Sequence, residues 1–132
     1  MVIDTSALMA ILRKEPDGPA FLDAMLAAAQ PRISAVTALE AAIVSEGRTE
    51  PEALGTVELL MHSAGVEVVP FDERHLEAAK LAFRRFGKGR HPAGLNFGDC
   101  CVYGLAKALG EPILCKGGDF RKTDIEVVEI AG

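Results

Sequence analysis

Met1-Val2-Ile3-Asp4-Thr5-Ser6-Ala7 is the stretch that decides the fold. Val2-Ile3 is a short apolar run that ends on an aspartate, and Ser6 to Leu12 then has helical composition. Glu15-Pro16-Asp17-Gly18 breaks that helix, and Pro19 suits the first turn of a second one through Ala29. The alternation continues outward. Pro31 to Ser34 reads as a strand, and Ala35 to Glu46 as a helix capped by Ser34 and stopped by Gly47. Pro51 to Ala64 is a helix closed by Gly65, and Val66 to Pro70 is a strand. Asp72 caps a helix to Phe86, ended by Gly87. Residues 87–94, with three glycines and a proline, read as a mobile surface loop. A helix from Phe97 to Leu109 stops at Gly110, Pro112 to Cys115 is a buried strand, and Ile125 to Ile130 is the last strand. Strands alternating with helices predict an α/β domain whose mostly parallel sheet is covered on both faces. Ligands of such sheets bind beyond the carboxyl ends of the strands, where Asp4 is placed.

The chain has 132 residues, which predicts one domain over 1–132. With 14 basic and 19 acidic side chains its net charge is -5, which excludes gripping nucleic acid by bulk positive charge. The charge is uneven: residues 1–83 carry 6 basic and 13 acidic side chains, residues 84–132 carry 8 and 6. Arg84, Arg85, Lys88, Arg90, Lys116, Arg121 and Lys122 are either solvated surface charge or a local patch for phosphate. No apolar run is long enough to cross a bilayer, and no basic segment precedes the first apolar residues, so neither a membrane span nor a signal peptide is expected. Cys100, Cys101 and Cys115 form no Cys-x-x-Cys pair, and His62, His75 and His91 share no ligand spacing. A disulfide framework and a zinc site are therefore not expected, and a reducing cytoplasm fits. A 49% apolar content is high for a soluble monomer and predicts a covered apolar surface.

The chemistry is suggested by solitary acids. Asp4 is the only charged residue from Met1 to Leu12, Glu40 the only one from Ile33 to Ser45, and Asp99 the only one from Pro92 to Ala106. Glu40 and Asp99 lie in stretches apolar nearly all round, which predicts buried helices and desolvated carboxylates. Each acid also has a structural reading. Asp4 would accept hydrogen bonds at a helix start, Glu40 would pair with a lysine, and Asp99 would favour a helix N-terminus. A bound cation would satisfy all three together, and carboxylates without Cys or His select a hard ion such as Mg²⁺ or Mn²⁺. Asp119 lies among Lys116, Arg121 and Lys122 and reads equally as a turn residue, but it follows the strand at 112–115.

The arrangement resembles the PIN domain, and most closely the VapC-type toxins of bacterial toxin–antitoxin pairs. The matching pieces are Met1 to Ala7, Leu39-Glu40-Ala41, the run Gly87 to Cys100 that includes Asn96-Phe97-Gly98-Asp99, Lys116-Gly117-Gly118-Asp119-Phe120, and Thr123-Asp124. The resemblance implies a three-layer α/β/α fold, a pocket formed by Asp4, Glu40, Asp99 and Asp119, and RNA cleavage dependent on Mg²⁺ or Mn²⁺. Relatives often carry a second acid just before the position of Asp119, where this chain has Gly118. An ion held by Asp4 and Asp99 would lower the pKa of a water and polarise the scissile phosphate, with Glu40 and Asp119 as candidates for a second ion. Ser6 is placed either to hydrogen-bond a ligand carboxylate or to cap the helix, and Asn96 either to orient Asp99 or to start its helix.

Lys88, Arg90, Lys116 and Arg121 are the candidates to hold RNA phosphates. With 5% aromatic residues and no Trp, little base stacking is expected. The resemblance also implies a neutralising VapB-type antitoxin, and the apolar content agrees with a groove for it and with a homodimer. A haloacid-dehalogenase phosphatase would need an aspartate where Ser6 stands, and a receiver domain would need paired acids at the first strand end. The remaining rivals are a structure-specific DNA nuclease and a non-catalytic PIN-fold interaction module. Loss of an acid would mark the module, and all four are present.

Overall fold

A computed structural model describes residues 1–46 and 53–131. Among them the chain order is β1 (Val2–Ile3), α1 (Thr5–Leu12), α2 (Gly18–Ala27), β2 (Arg32–Ser34), α3 (Ala35–Glu46), α4 (Ala53–Ser63), β3 (Glu67–Val69), α5 (Glu73–Phe86), α6 (Phe97–Leu109) and β4 (Ile113–Leu114), then a 3₁₀ turn at Phe120–Lys122. The expected helix stop at Gly47 and helix start at Pro51 lie outside the described residues.

Four strands pair in parallel in the order β3-β2-β1-β4. Val2 is in register with Arg32 on one side and with Ile113 on the other. β1 and β4 are buried on both faces, as is usual in parallel sheets, whereas the edge strand β3 leaves Glu67 and Val68 exposed. Successive side chains therefore enter different cores. Val2 and Ile113 join Ala79, Ala82 and Phe86 of α5 and Val102, Tyr103 and Leu105 of α6. Ile3 and Leu114 join Leu8 of α1, Phe21 and Met25 of α2, and Val57 of α4. This is the three-layer α/β/α architecture expected from the sequence.

Local signals explain the helix ends. Asp72 accepts hydrogen bonds from the Arg74 and His75 amides and caps α5. Asn96 and Asp99 form a reciprocal capping box on α6, and Gly110 closes that helix at a φ of 67°. Ser34 accepts from the Val36 amide at 3.2 Å, as its reading as a cap predicted.

Three expectations need correction. The segment 125–130 is not a full strand. It makes one parallel bridge, Ile113 with Val127, through hydrogen bonds from the Ile113 amide to Glu126 and from the Val128 amide to Ile113. Residues 87–94 form a surface loop, but one anchored at both ends. The Lys88 amide bonds to the Leu95 carbonyl, the Leu95 amide to Phe86, and Ala93 and Leu95 are buried. Finally, α3 is not a buried helix: only Thr37, Ala41 and Ser45 are buried, while Leu39 and Ile43 are about 60% exposed.

Candidate metal and phosphate site

The strand order fixes where a site forms. The chain leaves β1 toward β2 and β3, then crosses back to β4 on the other side of β1. The crevice beyond the carboxyl ends of β1 and β4 is thus the topological switch point, the usual ligand position in an open parallel sheet. Asp4 follows β1 directly, and its amide bonds to the Leu114 carbonyl at 3.0 Å. Asp119 follows β4 at the head of the 3₁₀ turn. Glu40 comes from the middle of α3 and Asp99 from the first turn of α6.

Asp4 performs two tasks. It caps α1 by accepting the Ser6 amide at 3.0 Å, and the same oxygen accepts the Ser6 hydroxyl at 2.5 Å. The Ser6 hydroxyl in turn accepts the Lys116 amide at 2.9 Å, so one side chain ties the end of β1 to the segment after β4. Ser6 therefore hydrogen-bonds Asp4 and does not cap α1, whose cap is Asp4 itself. Asn96 does both things expected of it: its side chain accepts the Asp99 amide at 2.9 Å while its own amide donates to Asp99 Oδ2 at 3.1 Å. Among the described residues Glu40 has no lysine partner; Thr5 Oγ1 donates to its Oε1 at 2.5 Å. Thr5 was not singled out in the sequence, although its place between Asp4 and Ser6 marks it. Gly98 was also missed: a Cβ there would lie 2.5 Å from Glu40 Oε2, so a side chain at 98 would displace the Glu40 carboxylate from its present position.

The carboxylates sense one another. Burial raises the pKa of Asp4; the Ser6 hydrogen bonds oppose this and the charge of Glu40 adds to it. Burial likewise pushes Asp99 up to about 6, against the Asn96 amide and with the charges of Asp4, Asp119 and Glu40. Among the described residues none of the four acids has an ion pair with a Lys, Arg or His. Nor do three or more Asp, Glu, His or Cys side chains close into a metal cage. What exists is an oxygen-only set of carboxylates, with Asp4 buried, Glu40 and Asp99 half-buried and Asp119 exposed. That donor chemistry fits a hard divalent ion, whose charge would relieve the repulsion. Cys115 is buried beside them, and its thiol is pushed up to about 12 by burial and by Asp4.

The basic candidates divide into two pairs. Lys116 is held by Glu15 at 2.5 Å and Asp17 at 3.1 Å, and Arg121 by Glu129 at 2.6 Å. Lys88 and Arg90 are exposed in the segment that leads to α6, with the Arg90 guanidinium 5.2 Å from the Phe83 ring centre. All three cysteines are buried free thiols.

The profile of the PIN domain family matches residues 1–126. The chain belongs to the PIN domain family. Within it, the chain is 48% identical over 128 residues to a ribonuclease VapC of Mycolicibacterium smegmatis, covering 97% of this chain and 99% of that one. It is 46% identical over 130 residues to ribonuclease VapC30 of Mycobacterium tuberculosis, covering 98% and 99%. Similarity at that level over whole chains places it with the VapC proteins. Solved PIN structures share the fold at low sequence identity. The M. tuberculosis toxin VapC20, titled a sarcin–ricin-loop-cleaving toxin, superposes with a TM-score of 0.78 at 16% identity over 97% of this chain and 98% of that one. FitAcB of Neisseria gonorrhoeae gives 0.69 at 19% identity, over 97% and 96%.

Proposed function

We propose that this PIN protein is a metal-dependent endoribonuclease and the toxin of a VapBC-type pair, hydrolysing RNA phosphodiesters at the Asp4, Glu40, Asp99 and Asp119 carboxylates. The observation that carries the reading is the coupling of these acids at the sheet's switch point without a basic partner among the described residues. The names of relatives at 46–48% identity support the choice of RNA.

Asp4 and Asp99 would hold a Mg²⁺ or Mn²⁺ ion, with Glu40 and Asp119 as candidates for a second. When bound, such an ion would supply the positive charge that lets a phosphodiester approach the acids and would acidify an attacking water. The remaining work belongs to the protein. Ser6 fixes the orientation of Asp4, Thr5 that of Glu40, and the Asn96 amide that of Asp99, so the carboxylates are presented without reorganisation. Lys88 and Arg90 would hold RNA phosphates, while Lys116 and Arg121 must first leave their acidic partners.

The partners proposed are RNA, a VapB-type antitoxin and a second copy of the chain. Solved relatives include toxin–antitoxin complexes, and Leu26, Leu39, Leu59, Leu81 and Phe83 are large apolar side chains left open to solvent. Among the described residues no helix is long and apolar enough to cross a membrane.

The test is cleavage of total RNA by antitoxin-free protein in Mg²⁺, in Mn²⁺ and in a chelator, beside a folded Asp4→Ala control. Discrete products that need metal and vanish in the control are expected. Folded protein that binds Mn²⁺ but cuts no RNA would redirect the reading to DNA, and absence of both binding and cleavage would leave an interaction module.

A further inference from the structure

The helix α6 buries Cys100 through Ala106 without a break, yet its first residue, Phe97, is 77% exposed. A bare aromatic ring in water is costly, and this one stands two residues before Asp99. Beside it lies a groove of about 240 Å³ lined by Val36, Leu39, Ile43 and Val44 of α3 and by Phe97 and Gly98 of α6. Glu40 lines the same groove, and its carboxylate lies directly over Gly98, where a Cβ would come within 2.5 Å of Oε2. The groove is therefore continuous with the carboxylate site and shares one of its acids. It is smaller than sites for drug-sized ligands, which suits one flat group rather than a helix.

We propose that Phe97 and this groove receive one nucleobase of the substrate RNA, the one flanking the scissile phosphate, by stacking on the Phe97 ring. The occupant follows from continuity: a molecule whose phosphate sits at Asp99 and Glu40 must lay its neighbouring group along the apolar wall. In single-stranded RNA that group is a base with a π face, and aromatic side chains bind it with little regard to sequence. Phe97 is then a residue that sets substrate affinity, and it contributes nothing to the attack on phosphorus. The sequence, with its few aromatic residues, pointed away from stacking; one exposed ring in the right place is enough to supply it. The inference rests on the ribonuclease reading above.

The chain has no Trp, so Phe97→Trp places a single tryptophan, excited apart from Tyr103, at the site. The probe is a short single-stranded RNA spanning a mapped cut, intact or abasic at the flanking nucleotide, added to antitoxin-free protein. Phe97→Ala is expected to raise KM about tenfold, within the range of stacking on one ring, while kcat and Tm change little. Phe97→Trp is expected to restore KM, and its emission to be quenched by the intact RNA and not by the abasic one.

Four results would overturn the proposal. Phe97→Ala could cut with unchanged KM, or lose kcat alone, which would assign the ring to holding Asp99. Equal quenching by abasic RNA would remove the base from the argument. Emission that shifts with protein concentration before RNA is added would give the groove to a second copy of the chain. Failure of the ribonuclease reading is visible separately, because the unsubstituted protein would then neither bind nor cut the RNA.

Discussion

The two ends of the central sheet treat a carboxylate in opposite ways. At the amino edge, Glu111 before β4 receives the Met1 amine at 2.6 Å and the Arg32 guanidinium. Burial alone would raise its pKa, but hydrogen bonds and charge from these two cations outweigh that and hold it below the usual value. At the carboxyl edge, Asp4 is raised by burial and by the charge of Glu40, and Asp99 by burial and by the charges of Asp4, Asp119 and Glu40, with no cation paired to them among the described residues. One end uses an acid to lock three strands together. The other keeps acids in tension that a ligand can release, and such tension is a signature of function.

Substitutions at the two ends should therefore separate activity from stability. Asp99→Asn or Asp4→Asn should lower metal-dependent RNA cleavage by more than about hundredfold, beyond the range for residues that only orient a ligand. The check is initial rates on RNA together with circular dichroism, which should show an intact fold. Removing an orienting hydroxyl should cost less. Ser6→Ala or Thr5→Val is expected to reduce Mn²⁺ affinity about tenfold, read by calorimetry.

At the other end, Glu111→Gln should leave cleavage unchanged and destabilise the fold by about 1–2 kcal/mol through lost charge-assisted hydrogen bonds. Urea unfolding at neutral pH measures this. A cleavage defect there, or a stability loss at Asp99, would break the contrast.

The smallest effect sharpens the contrast by its sign. Asp99 has a folded pKa near 6 against 3.8 for the free side chain, so the folded state holds a proton that the unfolded state releases. In metal-free protein this group loses stability as pH rises from about 4 to about 6. The Tm of Asp99→Asn should exceed that of the parent by a few degrees above pH 6, and the two should converge below pH 4. Glu111 runs the other way: its contribution is present above its usual value of 4.5 and disappears as pH falls through its lowered one. Mn²⁺ should erase the Asp99 difference at high pH, because the ion holds the carboxylate ionised.

Much of this was legible because it is local. The span Phe97–Leu109, with Asn96 before it and Gly110 after it, is written in capping chemistry that acts over three or four residues. Asp4, Glu40 and Asp99 stood out because each is alone in an apolar stretch, whereas Asp119 was marked only by its place after a strand; the structure brings the other three into the electrostatic neighbourhood of Asp99. What the sequence concealed depends on packing. The composition of α3 is that of a buried helix, but only one narrow stripe of it meets the core, leaving Leu39 and Ile43 outside. The pairing of Lys116 with Glu15 and Asp17 spans about a hundred positions, and nothing in either segment announces it. The segment after Ile125 has strand composition, yet its ladder with β4 amounts to a single bridge. Gly98 reads as an indifferent helix residue until Glu40 is placed against it.

The hydrogen bond from the Lys116 amide to the Ser6 hydroxyl joins residues 110 positions apart, and β1 has no other neighbour on that side than β4. The order of events during synthesis follows from this. A ribosome delivers Asp4 first, but Asp4 can take its place only after the chain through Asp119 has emerged and closed that long loop. No shorter nascent chain carries the assembled carboxylates. For a cell that translates an enzyme directed at RNA, late closure delays the hazard until the segment carrying Asp119 has been made.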